Sequence, residues 1–213
     1  MFRPPLPTCQ LCPRLVAFRE DNQAAYPSFF NGAVPSFGEL SASLLMVGLA
    51  PGLRGANRTG RPFTGDYAGL ILYRGLLNVG LAEGVYEERP DDGLKLKGVR
   101  ITNAARCVPP ENKPTPIEVK TCSNFLQQEI AAMPNLKVIL SLGLTSHQSV
   151  LKNLGKRQAD FKFVHGEMHD MGNGLTLVDS YHTSRYNIST GRLTQAMFDE
   201  VLRNIATIFA KGY

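Results

Sequence analysis

The sequence predicts an α/β protein, a three-layer α/β/α arrangement around a central four-stranded, mostly parallel sheet. Three observations carry that reading. Short aliphatic runs, each closed by Gly, Asn or Ser, alternate along the chain with stretches of helical period. Strands that alternate with helices pair in parallel, because each crossover needs a helix to bring the chain back to the same edge. No internal repeat or low-complexity segment breaks the alternation, which excludes a solenoid or propeller.

Taken in order, residues 44–48 (LLMVG), 99–103 (VRITN), 136–142 (LKVILSL) and 175–180 (LTLVDS) read as strands, with 161–165 (FKFVH) a weaker fifth. Helical patterns cover 67–81, 116–133, 144–154 and 193–210. The second opens with Thr115, Pro116 and Glu118, a Thr-x-x-Glu capping box with proline at the first helical position. A chain of 213 residues, 43% of them hydrophobic, suffices for one domain over 1–213 and is short for two.

The balance of 23 Lys and Arg against 18 Asp and Glu gives a formal charge of +5, which suits a polyanionic partner. No apolar run reaches the length of a membrane helix, and the opening MFRPPLPTCQLCPRL has prolines where a signal peptide needs an apolar core. These features predict a cytoplasmic protein with no membrane association, and nothing suggests an obligate protein partner, so a monomer is expected. In a reducing compartment four cysteines are poor disulfide candidates, and their spacing reads as metal chemistry.

In an open α/β sheet, functional loops leave the carboxyl ends of the strands. That rule selects residues 49–65, 104–115 and 181–192. The stretch GLAPGLRGANRTGRPFTGDYAG, 48–69, holds six glycines and two prolines beside Arg54, Arg58 and Arg61. Such a loop lets backbone N–H groups approach an anion, although no Gly-Lys-Ser/Thr of a P-loop follows. Phe63 has little core to bury in and offers a face for a planar ligand. Asp66 precedes a helix, as a cap or as a general base. Cys9 and Cys12 form C-x2-C, and Cys107 and Cys122 form C-x14-C; four thiolates suit zinc or an iron-sulfur cluster, and spacing does not separate the two. His182 leaves the last strand in company with Arg185, Asn187 and Arg192, whereas His147, His165 and His169 read as surface or satisfied residues.

The stretches GLAPG, GRPFTGDYAG, TNAARC and HTSRYN together resemble the motifs of the uracil-DNA glycosylase superfamily, most of all its b-type, or family 5, branch. Family 4 relatives carry an acidic residue where this chain has Ala50; the b-type branch has alanine there and an Asp after Gly-Arg-Pro-Phe-Thr-Gly, the place Asp66 fills. The resemblance implies a DNA-repair enzyme that hydrolyses the N-glycosidic bond of uracil, and of other deaminated bases such as hypoxanthine, flipped out of DNA. It implies a structural [4Fe-4S] cluster on Cys9, Cys12, Cys107 and Cys122, and Asp66 and His182 as catalytic residues. Gly48, Ala50, Gly52, Phe63, Asn103, Arg185 and Asn187 would bind the substrate, with Phe63 stacking on the base and the Asn103 amide on its edge. Arg54, Arg58 and Arg192, together with Arg185, would meet the DNA backbone, and Arg185 or Tyr186 would fill the gap left by the base. In one departure Thr183 replaces the usual proline of the last motif, which removes a restraint on φ. An iron-sulfur DNA-binding or redox protein without glycosylase activity is the competing reading; it accounts for the cysteines and the charge but gives no task to His182 or Asn103. A phosphoester hydrolase would need more carboxylates for a catalytic metal than Asp66 supplies.

Overall fold

The computed structural model describes residues 2–210. Its main sheet has five strands in the order β4-β1-β5-β7-β6: β1 (Leu44–Gly48), β4 (Val99–Asn103), β5 (Val138–Leu142), β6 (Met168–Gly172) and β7 (Leu175–Ser180). Four strands are parallel and β6 runs antiparallel to β7. A two-residue hairpin, β2 (Ala82–Glu83) with β3 (Lys95–Leu96), stands apart.

Alternation along the strands builds two cores. Leu44, Met46, Ile101, Leu140 and Val178 face one side and pack with Leu72, Leu76, Phe198 and Leu202 from α3 (Tyr67–Asn78) and α7 (Gln195–Ala210). Leu45, Val47, Ile139 and Leu177 face the other and pack with Leu126, Val150 and Leu151 from α4 (Pro116–Ala131) and α5 (Leu144–Asn153). These are the three expected layers. The capping box at Thr115 and Glu118 forms in both directions.

The strand count corrects the sequence expectation from four to five, and the weak fifth strand moves. Residues 161–165 alternate half-buried and exposed as a strand does, but they cover the sheet from the α5–β6 connection and join no ladder. The edge strand is instead MHDMG, returned to β7 by Asn173 and Gly174, both at positive φ (53° and 75°), as a two-residue hairpin turn requires. The sequence reading also passed over α1 (Pro13–Ala25), which buries little beyond Leu15, Arg19 and Asn22, and two short helices, α2 (Ala56–Thr59) and α6 (Arg185–Ser189).

Chain order matters for the site. From β1 the chain moves to β4 on one side and then crosses to β5 on the other, so the carboxyl end of β1 is a topological switch point with diverging loops on both sides. Phe198 locks α7 onto α3 where Gly75 leaves no side chain in the way; a Cβ there would stand 2.9 Å from its ring. Phe198→Ala should lower the unfolding free energy by about 3–5 kcal/mol in urea denaturation, and a loss below about 1 kcal/mol would mean that this interface is not part of the stabilising core.

Candidate active site

Ala50, Gly52, Phe63, Asp66, Asn103 and His182 line one small pocket of about 260 Å³ at the carboxyl ends of β1, β4 and β7. The pocket shares Ala50, Gly52, Asp66 and His182 with a wider cleft above it, whose walls carry Arg54, Tyr67 and Arg185. Residues on three loops, 132 positions apart at the extremes from Ala50 to His182, thus meet because parallel strands deliver their ends to one edge.

The last residue of β1 sets the floor. A Cβ on Gly48 would lie 2.3 Å from Asn103 Oδ1 and 2.6 Å from the Phe63 ring, so only glycine lets the two approach. Asn103 is 3% exposed and its Oδ1 has no partner inside the protein. A buried acceptor left open at a pocket wall is suited to a ligand donor. Phe63 holds a left-handed backbone, φ 53°, which costs of order 1 kcal/mol for a non-glycine residue. Its carbonyl accepts a hydrogen bond from Tyr86 Oη at 3.1 Å, and Gly69 lets that carbonyl come within 1.8 Å of where a Cβ would stand. The Phe63 ring lies 5.7 Å from the His182 ring, and both residues line the pocket.

Asp66 caps α3: its Oδ1 accepts from the Gly69 N–H at 3.2 Å. The second oxygen faces Gly52 and Gly55; a Cβ on Gly55 would sit 2.1 Å from it. Burial raises the Asp66 pKa above its ordinary value, opposed by the Gly69 and Ala68 amides. Burial also pulls the His182 pKa down to about 4, which leaves the imidazole neutral at pH 7 with one N–H to donate.

Just beyond the carboxyl end of β4 the four cysteines surround a second cavity of about 380 Å³ together with Leu15, Ala105 and Arg106. All four are free thiols. Burial, then the neighbouring Cys122 and Cys9, push the Cys107 thiol up to about 12. Burial raises Cys12 and Cys122 as well, and four crowded thiols without disulfides are the donor set of a cation or cationic cluster, whose charge favours the thiolate form.

A family model, Uracil DNA glycosylase superfamily, matches residues 35–206, which take in every strand and the whole pocket. The chain belongs to this superfamily. It is 44% identical over 202 residues, 92% of each chain, to a type-5 uracil-DNA glycosylase of Thermus thermophilus. A type-5 uracil-DNA glycosylase of Pyrobaculum aerophilum shares 40% over 94% of this chain and 89% of its own. A type-4 uracil-DNA glycosylase of the same organism shares 32% over 70% of each.

Not every residue singled out from the sequence reaches the pocket of this superfamily member. Asn187 donates from Nδ2 to the His182 carbonyl at 2.8 Å, so it secures the loop. Arg192 stacks over Tyr181 at 4.4 Å, and Arg58 bonds to the Arg54 and Gly65 carbonyls. Arg61, counted with the loop's cations, is buried and makes a bidentate pair with Asp92 at 2.8 and 2.7 Å. Conversely, the segment Gly143 to Ser146 after β5 belongs to the cleft and carried no sequence signal beyond its place at a strand end, and Gly55, also in the cleft, stood out only as one glycine of the first loop.

Thr183 is fully buried, and its hydroxyl has no hydrogen-bond partner. Thr183→Val keeps the shape and removes that unpaired group, and should raise the unfolding free energy by about 1–3 kcal/mol. An unchanged or lower denaturation midpoint would show that the hydroxyl is satisfied in solution.

Proposed function

We propose that this chain hydrolyses the N-glycosidic bond of uracil, and also of hypoxanthine, flipped out of DNA to leave an abasic site. The observation that carries the reading is the pocket's arrangement: an aromatic face at Phe63, an open buried amide at Asn103, a carboxylate at Asp66 and a neutral donor at His182. Uracil presents an N–H beside a carbonyl on its pairing edge, and hypoxanthine presents the same pair, so one amide complements both. Ala50 adds neither charge nor bulk at the wall, leaving space for the larger purine.

Extrusion of the base costs a few kcal/mol, least at a mismatch. Arg54 and Arg185, on the cleft walls, contact phosphates, while Arg58 and Arg192 serve from the surrounding surface. Arg185 already stacks over Tyr67 at 5.2 Å, so Tyr186, 70% exposed beside it, is the side chain free to enter the gap in the duplex. As the bond breaks, negative charge moves onto the base and positive charge onto the sugar. His182 donates its N–H to the departing base, a contribution of about 3 kcal/mol for a preorganised donor. Asp66, with Oδ1 tied to Gly69, turns its other oxygen to the water that attacks the sugar.

The four cysteines hold a [4Fe-4S] cluster in this reading. When bound, the cluster supplies a cross-link and no reactive step. Arg19 bonds to the Cys9 carbonyl at 2.9 Å and Arg14 to Glu118 at 2.8 Å, so the N-terminal arm and the start of α4 arrive at the cavity already tied.

On labelled duplexes with a single U·G, U·A or hypoxanthine·T pair, the protein followed by hot alkali should give scission at that site. Asp66→Asn should lose about a hundredfold or more in turnover while still binding DNA; full turnover in that variant would move the base to another residue. The rate should also fall in acid as Asp66 takes up a proton, at a pH above the ordinary carboxylate value of about 3.9. His182 should contribute no inflection near 6.5, and one that vanished in His182→Gln would contradict its neutral role.

A further inference from the structure

Away from the pocket lies a second cluster of titratable side chains that the reaction does not use. Among the described residues, His147, His169 and Asp179 are the group of His, Cys, Asp and Glu whose polar atoms gather within 4.8 Å of one another. They come from α5, β6 and β7, and His147 and Asp179 are 1% and 0% exposed. Asp179 Oδ1 receives Ser141 Oγ at 2.7 Å and His147 Nδ1 at 2.7 Å, and Oδ2 receives His169 Nε2 at 3.1 Å. The other nitrogen of His147 lies 3.0 Å from the Phe161 carbonyl.

A neutral imidazole has one N–H and one lone pair. His147 faces an acceptor with each nitrogen, and a carbonyl cannot donate, so a neutral ring with its proton on Nδ1 would set a lone pair against the Phe161 oxygen. A metal ion fits less well, because nitrogen and oxygen ligands of a tetrahedral zinc stand about 3.3 Å apart, while Nδ1 and Oδ1 keep a donor–acceptor distance of 2.7 Å.

We propose that His147 is held as a doubly protonated imidazolium and acts as a positioning residue, its two donated hydrogen bonds clamping the α5–β6 connection to β7 three residues before His182. The connection braces that strand end at further points. Phe163 packs against His147 at 5.6 Å and Tyr181 at 6.0 Å, and His165 stacks on Tyr181 at 4.9 Å while accepting its backbone N–H at 3.2 Å. Tyr181 immediately precedes His182. The protonation state stands on geometry alone; its bearing on catalysis rests on the glycosylase reading.

Asp179 from β7 is the charged group facing His147, and His169 from β6 is the other titratable one. The connection offers the Phe161 carbonyl and the Phe163 ring, and β5 offers Ser141. Burial by itself lowers the His147 pKa, but the hydrogen bond and charge of Asp179 and the Phe161 carbonyl outweigh it, for a net rise above 6.5. The clamp is therefore complete below about pH 6.5 and is lost as pH rises through the raised value.

Side-chain ¹⁵N NMR of the cluster-loaded protein reads this directly. At pH 7 both ring nitrogens of His147 should carry protons and lose one only at a pH above that of an ordinary histidine; a bare nitrogen at pH 7 overturns the proposal. In turnover, kcat of the wild type should decline in step with that deprotonation. His147→Gln should lower kcat by about threefold to thirtyfold at pH values where the wild-type ring is protonated and abolish the decline at higher pH, with KM for DNA unchanged and faster amide exchange over 161–165. An unchanged kcat in a folded His147→Gln removes the positioning role. Absence of turnover in the wild type, with both nitrogens protonated, would count against the glycosylase reading while leaving the clamp standing.

Discussion

The bidentate ion pair between Arg61 and Asp92 fixes the loop on which the pocket is built. Arg61 lies under Phe37, Tyr73 and Tyr86, with its guanidinium 5.1–5.8 Å from each ring, and also bonds to Thr64 Oγ1 at 2.8 Å. Burial would raise the Asp92 pKa, but Arg61 and the Glu87 and Leu94 amides outweigh it and hold it at about 2, so the pair persists far into acid. A buried charge deprived of its partner costs about 3–5 kcal/mol, enough to keep the turn at Arg61 to Thr64 in one conformation. That turn contains the strained Phe63, and Asp66 follows it. Tyr73, its hydroxyl on the Pro62 carbonyl at 2.6 Å, and Tyr86 on the Phe63 carbonyl complete the support. The strain at Phe63 is thus met by neighbours that never touch a substrate.

A matching logic holds the other loops. The end of β4 carries Asn103, and four residues later Cys107 enters the sulfur-lined cavity, so a cluster there would brace the strand end that offers the amide. Asn112, from the same loop, reaches the cleft wall. The last loop is secured from within by Asn187 on the His182 carbonyl and from behind by the α5–β6 connection. Gly48, Gly55 and Gly69 make room where these separately supported parts meet.

Much of this was legible in the sequence because parallel strands and their carboxyl ends follow from the alternation of aliphatic runs and helices. The four buried strands, the capping box at Thr115 and the convergence of the loops carrying Phe63, Asp66 and His182 were expected from it; the place of Asn103 came from the family resemblance, and Phe63, expected to have little core to bury in, is part of the core. The edge strand was not expected, since MHDMG is polar and half-exposed; its signal lay in Asn173-Gly174, a hairpin pair immediately before an aliphatic run. Arg61 stood in the sequence only as one of the loop's three arginines because Asp92 is 31 residues away in a polar stretch, and long-range pairing leaves no local mark. His147 and His169 looked ordinary for the same reason: their partner, Asp179, is brought to them only by the ordering of β5, β7 and β6.

In the proposed reaction an extruded base occupies the pocket between Phe63, Asn103 and His182 with its sugar beside Asp66. A crystal structure of Asp66→Asn bound to a duplex with one U·G pair tests it most directly. Uracil stacked on Phe63, its pairing edge on the Asn103 amide and one carbonyl within hydrogen-bond distance of the His182 ring, is the predicted result. A uracil that stays stacked in the helix, or enters a site lined by other residues, would contradict the account.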